Sequence, residues 1–161
     1  MVSDDPTTSR RALEALYRDR YEPSVRLAHL LVGDRARAEE LAQDAFVRML
    51  PRLDGVDDPA AYLRTVLVNL CRDASRRSTR ARALRAEGTA TAAPPDVPVT
   101  STAVWQALQR LPERQRLAVC LRFCDDLPDY RIAELLGVRP ATVRSLVHRG
   151  LAALKEVVPR G

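Results

Sequence analysis

The sequence predicts an all-α protein of two small helical domains joined by a flexible linker. Three observations lead there. Apolar residues recur at three- and four-residue spacing through most of the chain, and no stretch shows the alternation of a half-buried strand. Aromatic residues make up only 4% of the 161 residues, so a core must come mainly from Leu, Val and Ala, which suits small helical bundles better than a β-sandwich. Between Ala86 and Pro98 the composition shifts to prolines, a glycine and little apolar bulk. Such a segment cannot bury a core and reads as an extended linker. The expected boundaries are 10–83 for the first domain, 84–102 for the linker and 103–158 for the second domain.

A first helix begins with Arg11-Ala12-Leu13-Glu14-Ala15-Leu16-Tyr17, with Ser9 placed as its N-cap. A second carries Val25, Leu27, Ala28, Leu30, Leu31 and Val32 and stops at Gly33-Asp34. The third has apolar residues at Ala38, Leu41, Ala42, Ala45, Phe46 and Met49, and Pro51 ends it. After the turn-rich stretch Asp54 to Pro59, a fourth helix runs from about Ala60 to Arg80. The second domain gives three or four more helices, with breaks at Leu111-Pro112, Leu127-Pro128 and Gly137.

From Leu127 to Lys155 the pattern is that of a helix-turn-helix. Ile132, Ala133, Leu135 and Leu136 are the inward positions of its first helix, and Ala133 is small where the second helix must cross closely. Gly137 is placed to end that helix in the left-handed conformation, and Pro140 suits the first turn of the next. The second helix has an apolar stripe of Val143, Leu146, Val147, Leu151 and Leu154. Its outer face offers Thr142, Arg144, Ser145, His148 and Arg149, with no acid between Arg139 and Lys155. A recognition helix of this kind enters the major groove. Thr142, Arg144 and Ser145 are the base-edge candidates, and Arg139 and Arg149 the phosphate contacts.

The polar faces of the first domain have opposite signs. The third helix presents Glu39, Glu40, Gln43 and Asp44, a face that taken alone is an ordinary solvated one. The fourth packs Leu63, Val66, Leu67 and Leu70 inward and carries Arg64, Arg72, Arg76, Arg77 and Arg80 outside, with Thr65 and Asn69 among them as neutral hydrogen bonders. Arg82 and Arg85 continue the run. A positive stripe of this sort is an electrostatic footprint for nucleic acid. The net charge of +5 agrees, and nearly all of the positive charge is arginine, the side chain best suited to bidentate contacts with phosphate and guanine.

The order of these segments carries a resemblance. Ala38-Glu39-Glu40-Leu41-Ala42-Gln43-Asp44-Ala45-Phe46 is followed by Tyr62-Leu63-Arg64-Thr65-Val66-Leu67-Val68-Asn69, then Arg76-Arg77, a Pro/Ala linker, Leu111-Pro112-Glu113-Arg114-Gln115-Arg116 and the helix-turn-helix. The chain resembles an extracytoplasmic-function (ECF) sigma factor of the sigma-70 family, and is similar to the actinobacterial SigE-family branch. The resemblance implies a region 2 bundle, a linker and a region 4 helix-turn-helix. It implies that Glu39, Glu40, Gln43 and Asp44 bind core RNA polymerase at the β′ clamp helices, with the β flap as a further contact. It implies that Arg64, Thr65, Asn69, Arg72, Arg76 and Arg77 bind the −10 element of promoter DNA, Asn69 helping to hold a flipped-out base. The recognition-helix residues Arg139, Thr142, Arg144, Ser145, His148 and Arg149 then read the −35 element. An anti-sigma factor is a further implied partner. Three positions depart from the family pattern: Tyr62 where many relatives carry Trp, Pro128-Asp129 where Ser often precedes an acidic pair, and Arg139 near the recognition helix N-cap.

Other function classes find little support. No Gly-rich phosphate loop, metal-ligand cluster or nucleophile–base pair is present, and neither His29 nor His148 has a partner nearby in sequence, so no catalytic residue, metal or cofactor is expected. Cys71, Cys120 and Cys124 are odd in number and scattered, which argues against a disulfide framework and predicts buried free thiols. With no long uncharged apolar run and the polar opening Val2-Ser3-Asp4-Asp5-Pro6, the expected location is the cytoplasm, with no membrane contact. The alternative function is a stand-alone helix-turn-helix transcriptional regulator binding operator DNA as a dimer.

Overall fold

The structure is a computed structural model and describes residues 6–85 and 102–157. Among these residues the regular elements are all helical: α1 (Pro6–Val32), α2 (Arg35–Met49), a 3-10 turn (Leu50–Gly55), α3 (Pro59–Arg85), α4 (Thr102–Arg110), α5 (Glu113–Phe123), α6 (Asp129–Leu136) and α7 (Pro140–Lys155). Residues 86–101, which hold most of the expected linker, lie outside the described residues.

The expected first and second helices are one. α1 runs unbroken through Pro23. A proline inside a helix removes a backbone hydrogen bond and crowds the preceding turn, at about 3 kcal/mol. Immediately downstream, Val25, Leu27, Ala28, Leu30 and Leu31 are buried in the face that meets α2 and α3, and that burial offsets the penalty. Ser9 lies inside the helix rather than capping it, and its hydroxyl donates to Asp54 Oδ1 at 2.6 Å, pinning α1 to the 3-10 turn. Asp34 opens α2 by accepting the Arg37 N–H at 3.3 Å.

α1, α2 and α3 form one bundle. α2 and α3 are in contact, α2 burying Leu41, Ala42, Ala45 and Met49 and α3 burying Leu63, Leu67 and Val68. α5, α6 and α7 form the second, around Leu117, Ala118, Leu121, Ile132, Leu136 and Val143. Gly150 of α7 is buried against α5, where an added Cβ would meet Val119 Cγ2 at 2.6 Å.

The two bundles share a continuous core. Trp105 of α4 packs edge-on against His29 of α1 with ring centroids 5.1 Å apart, so His29 has a partner that its sequence neighbourhood did not reveal. Gln109 Nε2 donates to the Leu30 carbonyl at 2.9 Å, satisfying an acceptor that the last turn of α1 cannot satisfy for itself. Gly33 ends α1 at φ +82°, and a Cβ there would meet Gln109 Oε1 at 2.7 Å. One glycine thus meets both a backbone need and a close approach between the bundles.

The cysteines correct one expectation. Cys71 and Cys120 are buried, but Cys124 is exposed. It caps α5 from outside the last turn, and Asp126 at φ +51° then leads the chain away. Burial pushes the Cys71 thiol up to about 12, with Arg37 partly opposing. The hydrogen bond between Cys120 and Cys124 raises the first thiol, helped by burial, and lowers the second.

Candidate nucleic-acid and partner interfaces

α6 and α7 make the helix-turn-helix. Ile132, Ala133 and Leu136 are buried while Leu135 is half-buried. Gly137 sits at φ +66° and ψ +37°, the left-handed cap expected of it, and the Val138 N–H donates to the Ala133 carbonyl at 3.0 Å. Pro140 is the first residue of α7, and Arg139 precedes it in extended conformation with no side-chain cap bond. Val143 is fully enclosed, and Leu146, Val147 and Leu154 pack partly against the core. Arg139, Thr142, Arg144, Ser145, His148 and Arg149 are all exposed, on a helix whose described length carries no acid.

One acid reaches this surface from outside α7. Asp129, the first residue of α6, forms an ion pair with Arg122, and its other oxygen lies 3.9 Å from Arg144 Nη1. Asp129 stands out in the sequence only as a departure from the family pattern, and nothing local to α7 marks it as a neighbour of Arg144. It stands at the edge of ion-pair range from Arg144, whose side chain stays mostly exposed.

The α3 candidates divide into two groups. At about 100° per residue, Thr65, Asn69, Arg72 and Arg76 fall within about 60° of arc, with Arg64 and Arg77 on the flanks. Thr65, Asn69, Arg76 and Arg77 are exposed. The Thr65 hydroxyl donates back to the Ala61 carbonyl at 3.1 Å. Arg64 and Arg72 instead engage the second bundle. Arg64 Nε donates to Asp125 Oδ2 at 2.6 Å, while Arg72 Nε lies 3.7 Å from Glu113 Oε1 and its Nη1 donates to the Leu135 carbonyl at 3.4 Å.

The acidic face lies along α2. Arg35 Nε meets Glu39 at 3.3 Å and Arg37 Nη1 meets Glu40 at 2.9 Å, so two of the four candidates are paired within their own helix. Such exposed pairs contribute little to stability and are readily exchanged. Gln43 and Asp44 are exposed, and Gln43 Nε2 approaches the Tyr21 hydroxyl at 3.5 Å. Tyr21 stacks on Tyr17 at 4.7 Å, and Tyr17 leans on Phe46 at 5.0 Å. Beside this cluster opens an apolar cleft of about 570 Å³, lined chiefly by Leu13, Tyr17, Phe46, Val47 and Leu50. The cleft was absent from the sequence reading. Its only signal is that Val47 and Leu50 stand off the core-facing stripe of the third helix, and both are exposed.

Among the described residues, no group of three or more His, Cys, Asp and Glu side chains is placed to hold a metal ion, and no helix is long and apolar enough to cross a membrane.

Comparison with known proteins covers both bundles. Residues 16–81 match the family model of sigma-70 region 2, and residues 101–154 match that of sigma-70 region 4. The chain is 34% identical over 154 residues to the RNA polymerase sigma-E factor of Streptomyces avermitilis, covering 89% of this chain and 83% of the relative. It is 27% identical over 160 residues to the ECF RNA polymerase sigma factor SigW of Bacillus subtilis, covering 88% and 84%. Among solved structures, the sigma factor RpoE from Bartonella quintana, crystallised with the anti-sigma factor NepR, is similar in fold. That match has a TM-score of 0.70 at 24% identity and covers 91% of this chain and 97% of the other.

Proposed function

The chain belongs to the sigma-70 family, in its extracytoplasmic-function (ECF) branch, and from that premise we propose how its surfaces divide the work of an RNA polymerase sigma factor. Such a factor directs core RNA polymerase to promoters and assists initiation. The domain holding α1 to α3, about 10–83, docks on core polymerase through Glu39, Glu40, Gln43 and Asp44 and takes the −10 element on α3. Asn69 offers a paired donor and acceptor to an unstacked base edge, while Arg64, Arg72, Arg76 and Arg77 hold phosphates around it. The domain holding α4 to α7, about 103–158, reads the −35 element through Thr142, Arg144, Ser145 and His148, with Arg139 and Arg149 on the backbone.

The observation that carries this division is the opposite charge of two exposed edges on one small bundle. Gln43 and Asp44 are exposed on α2, while Asn69, Arg76 and Arg77 are exposed on α3. One edge suits a basic protein surface and the other a polyanion, and a single helix-turn-helix regulator needs only the second. The stand-alone operator-binding dimer is not favoured, since sigma-70 models match both domains.

We further assign the protein to the cytoplasm, where core polymerase works, and give it no chemistry of its own. An anti-sigma factor is a fitting antagonist, as it is for the Bartonella relative. The test is transcription in vitro by core polymerase with and without the full chain, on a pool of genomic promoter fragments. Discrete promoter-dependent transcripts are expected only with the chain present. Their absence across the pool would overturn the reading.

A further inference from the structure

Two of the three cysteines form a pair that the DNA and polymerase contacts leave unused. Cys124 is exposed at the C-cap of α5, and Cys120 lies one helical turn behind it, 1% exposed in the core of the second domain. We propose that Cys124 is a peroxide-reactive thiol with Cys120 as its resolving partner, and that the disulfide they form loosens the turn leading into the helix-turn-helix. No residue assigned to promoter or polymerase takes part, so the proposal stands apart from those assignments.

The placement supplies each part of such a pair. The Cys124 N–H donates to the Cys120 carbonyl at 2.9 Å, so helical geometry holds up to the cap. Four residues of helix put the two Cα atoms about 6 Å apart, inside the roughly 4.4–6.8 Å that a disulfide spans. The side chains already meet: the Cys120 thiol donates a hydrogen bond to the Cys124 sulfur. That bond favours the Cys124 thiolate and holds its thiol below the ordinary value, with burial and Asp125 opposing. An accessible sulfur with thiolate character is the one that oxidants reach first. Cys71 has neither property, being buried with its thiol pushed up to about 12.

The oxidation runs in two steps. The Cys124 thiolate attacks one oxygen of hydrogen peroxide, the O–O bond breaks, and a sulfenic acid forms as hydroxide leaves. The Cys120 sulfur then attacks the sulfenic sulfur, an S–S bond forms, and the second hydroxide leaves with the Cys120 proton as water. The two thiols lose two electrons together, and the peroxide is reduced to water.

Closure moves the backbone. Cβ atoms four residues apart on a helix stand about 5–6 Å from one another, and a disulfide needs about 3.5–4.5 Å. Cys120 is fixed beside the buried Leu117, Ala118 and Leu121, so Cys124 is the residue that shifts. The chain that follows it is a tight turn. Asp126 sits at φ +51°, and the Leu127 N–H donates to the Leu121 carbonyl at 3.1 Å while its side chain is buried. Pro128 and α6 come next, so a displaced Cys124 is felt at the first helix of the helix-turn-helix.

The test exposes the reduced full chain to hydrogen peroxide, alkylates the remaining thiols and digests with trypsin. Cleavage after Arg116, Arg122 and Arg131 parts the two cysteines. The proposal expects residues 117–122 and 123–131 to be joined by a disulfide that dithiothreitol reopens, formed at least about tenfold faster than Cys71 oxidises. In Cys120→Ala, Cys124 should instead accumulate as a sulfenic acid that dimedone labels. Cys124→Ser should abolish both products and leave Cys120 reduced, and circular dichroism checks that each variant keeps its helices. Amide hydrogen exchange across residues 123–131 should quicken on oxidation of the native chain and stay unchanged in Cys124→Ser. A Cys124 that oxidises no faster than Cys71, or that links only to a second chain, overturns the pair. A joined pair with unchanged exchange overturns its effect on the helix-turn-helix.

Discussion

Gly150 of α7 lies so close to Val119 of α5 that a Cβ at the glycine would stand 2.6 Å from Val119 Cγ2. The Leu111 side chain and the Gln115 carbonyl close the same spot at 3.7 and 3.6 Å. A glycine inside a helix is unfavourable by about 1 kcal/mol relative to alanine, so its presence in a 16-residue helix reports packing rather than propensity. Val119 is β-branched and stiff and cannot swing away. Gly150→Ala is expected to destabilise the fold by about 1–2 kcal/mol in urea unfolding, overpacking outweighing the gain in propensity. In a Val119→Ala background the same change should become stabilising. A destabilisation of equal size in both backgrounds would show that the close contact is not its cause.

Cys71 makes a prediction about alkaline stability. Its thiol, ordinarily near 9.0, is pushed up to about 12 by burial on α3. Below the ordinary value both folded and unfolded chains hold the proton, and the thiol's contribution is complete. Above it the unfolded chain releases the proton first, and stability falls by about 1.4 kcal/mol per pH unit until the folded thiol also titrates. Cys71→Ala removes this slope while leaving a small cavity. Urea unfolding from about pH 8 to about pH 11 should therefore show the variant's deficit shrinking as pH rises. Parallel curves would mean that the thiol titrates alike in both states.

Much of this was legible in the chain, and the limit is instructive. Gly137, Pro140 and the acid-free run around Thr142 and Arg149 are local signals, and the helix-turn-helix they announce is where they place it. The helix breaks at Leu111-Pro112 and Leu127-Pro128 are likewise local. Pro23 shows the reverse, since a strong local rule gave way to the burial of five apolar neighbours. Trp105 on His29, Gly150 on Val119 and Arg64 on Asp125 join residues far apart in sequence, and helical periodicity says nothing about such pairings. Periodicity ranked Arg64 and Arg72 with Arg76 and Arg77 as one basic stripe, and only tertiary contact separates them.

The two edges of the first domain should fail separately. Gln43→Ala with Asp44→Ala removes exposed polar groups from α2 without touching its buried face. Affinity for core polymerase should drop about tenfold, on the order of 1.4 kcal/mol, while the fold stays intact. Asn69→Ala should leave that affinity unchanged and impair promoter opening, read by permanganate reactivity of unpaired thymines. Loss of polymerase binding in the Asn69 variant would place that residue on the wrong surface.

Arg144 and Arg149 are both exposed on α7, about 140° apart around its axis, and should behave differently on DNA. Arg144 is in the N-terminal half of the recognition helix, the part that meets base edges, with Asp129 at 3.9 Å. Arg149 is more than a turn further on, where the helix leaves the groove floor and a cation meets backbone. Arg144→Ala should therefore weaken binding to the preferred −35 sequence by about 1–3 kcal/mol and relax preference at one base pair. Arg149→Ala should weaken all sequences alike and reduce the dependence of log K on log salt by about 0.9. Holoenzyme binding to a set of −35 variants, titrated at several salt concentrations, separates the two. Should Arg149→Ala alter sequence preference and Arg144→Ala alter only the salt slope, the roles of the two residues would be the reverse of those assigned.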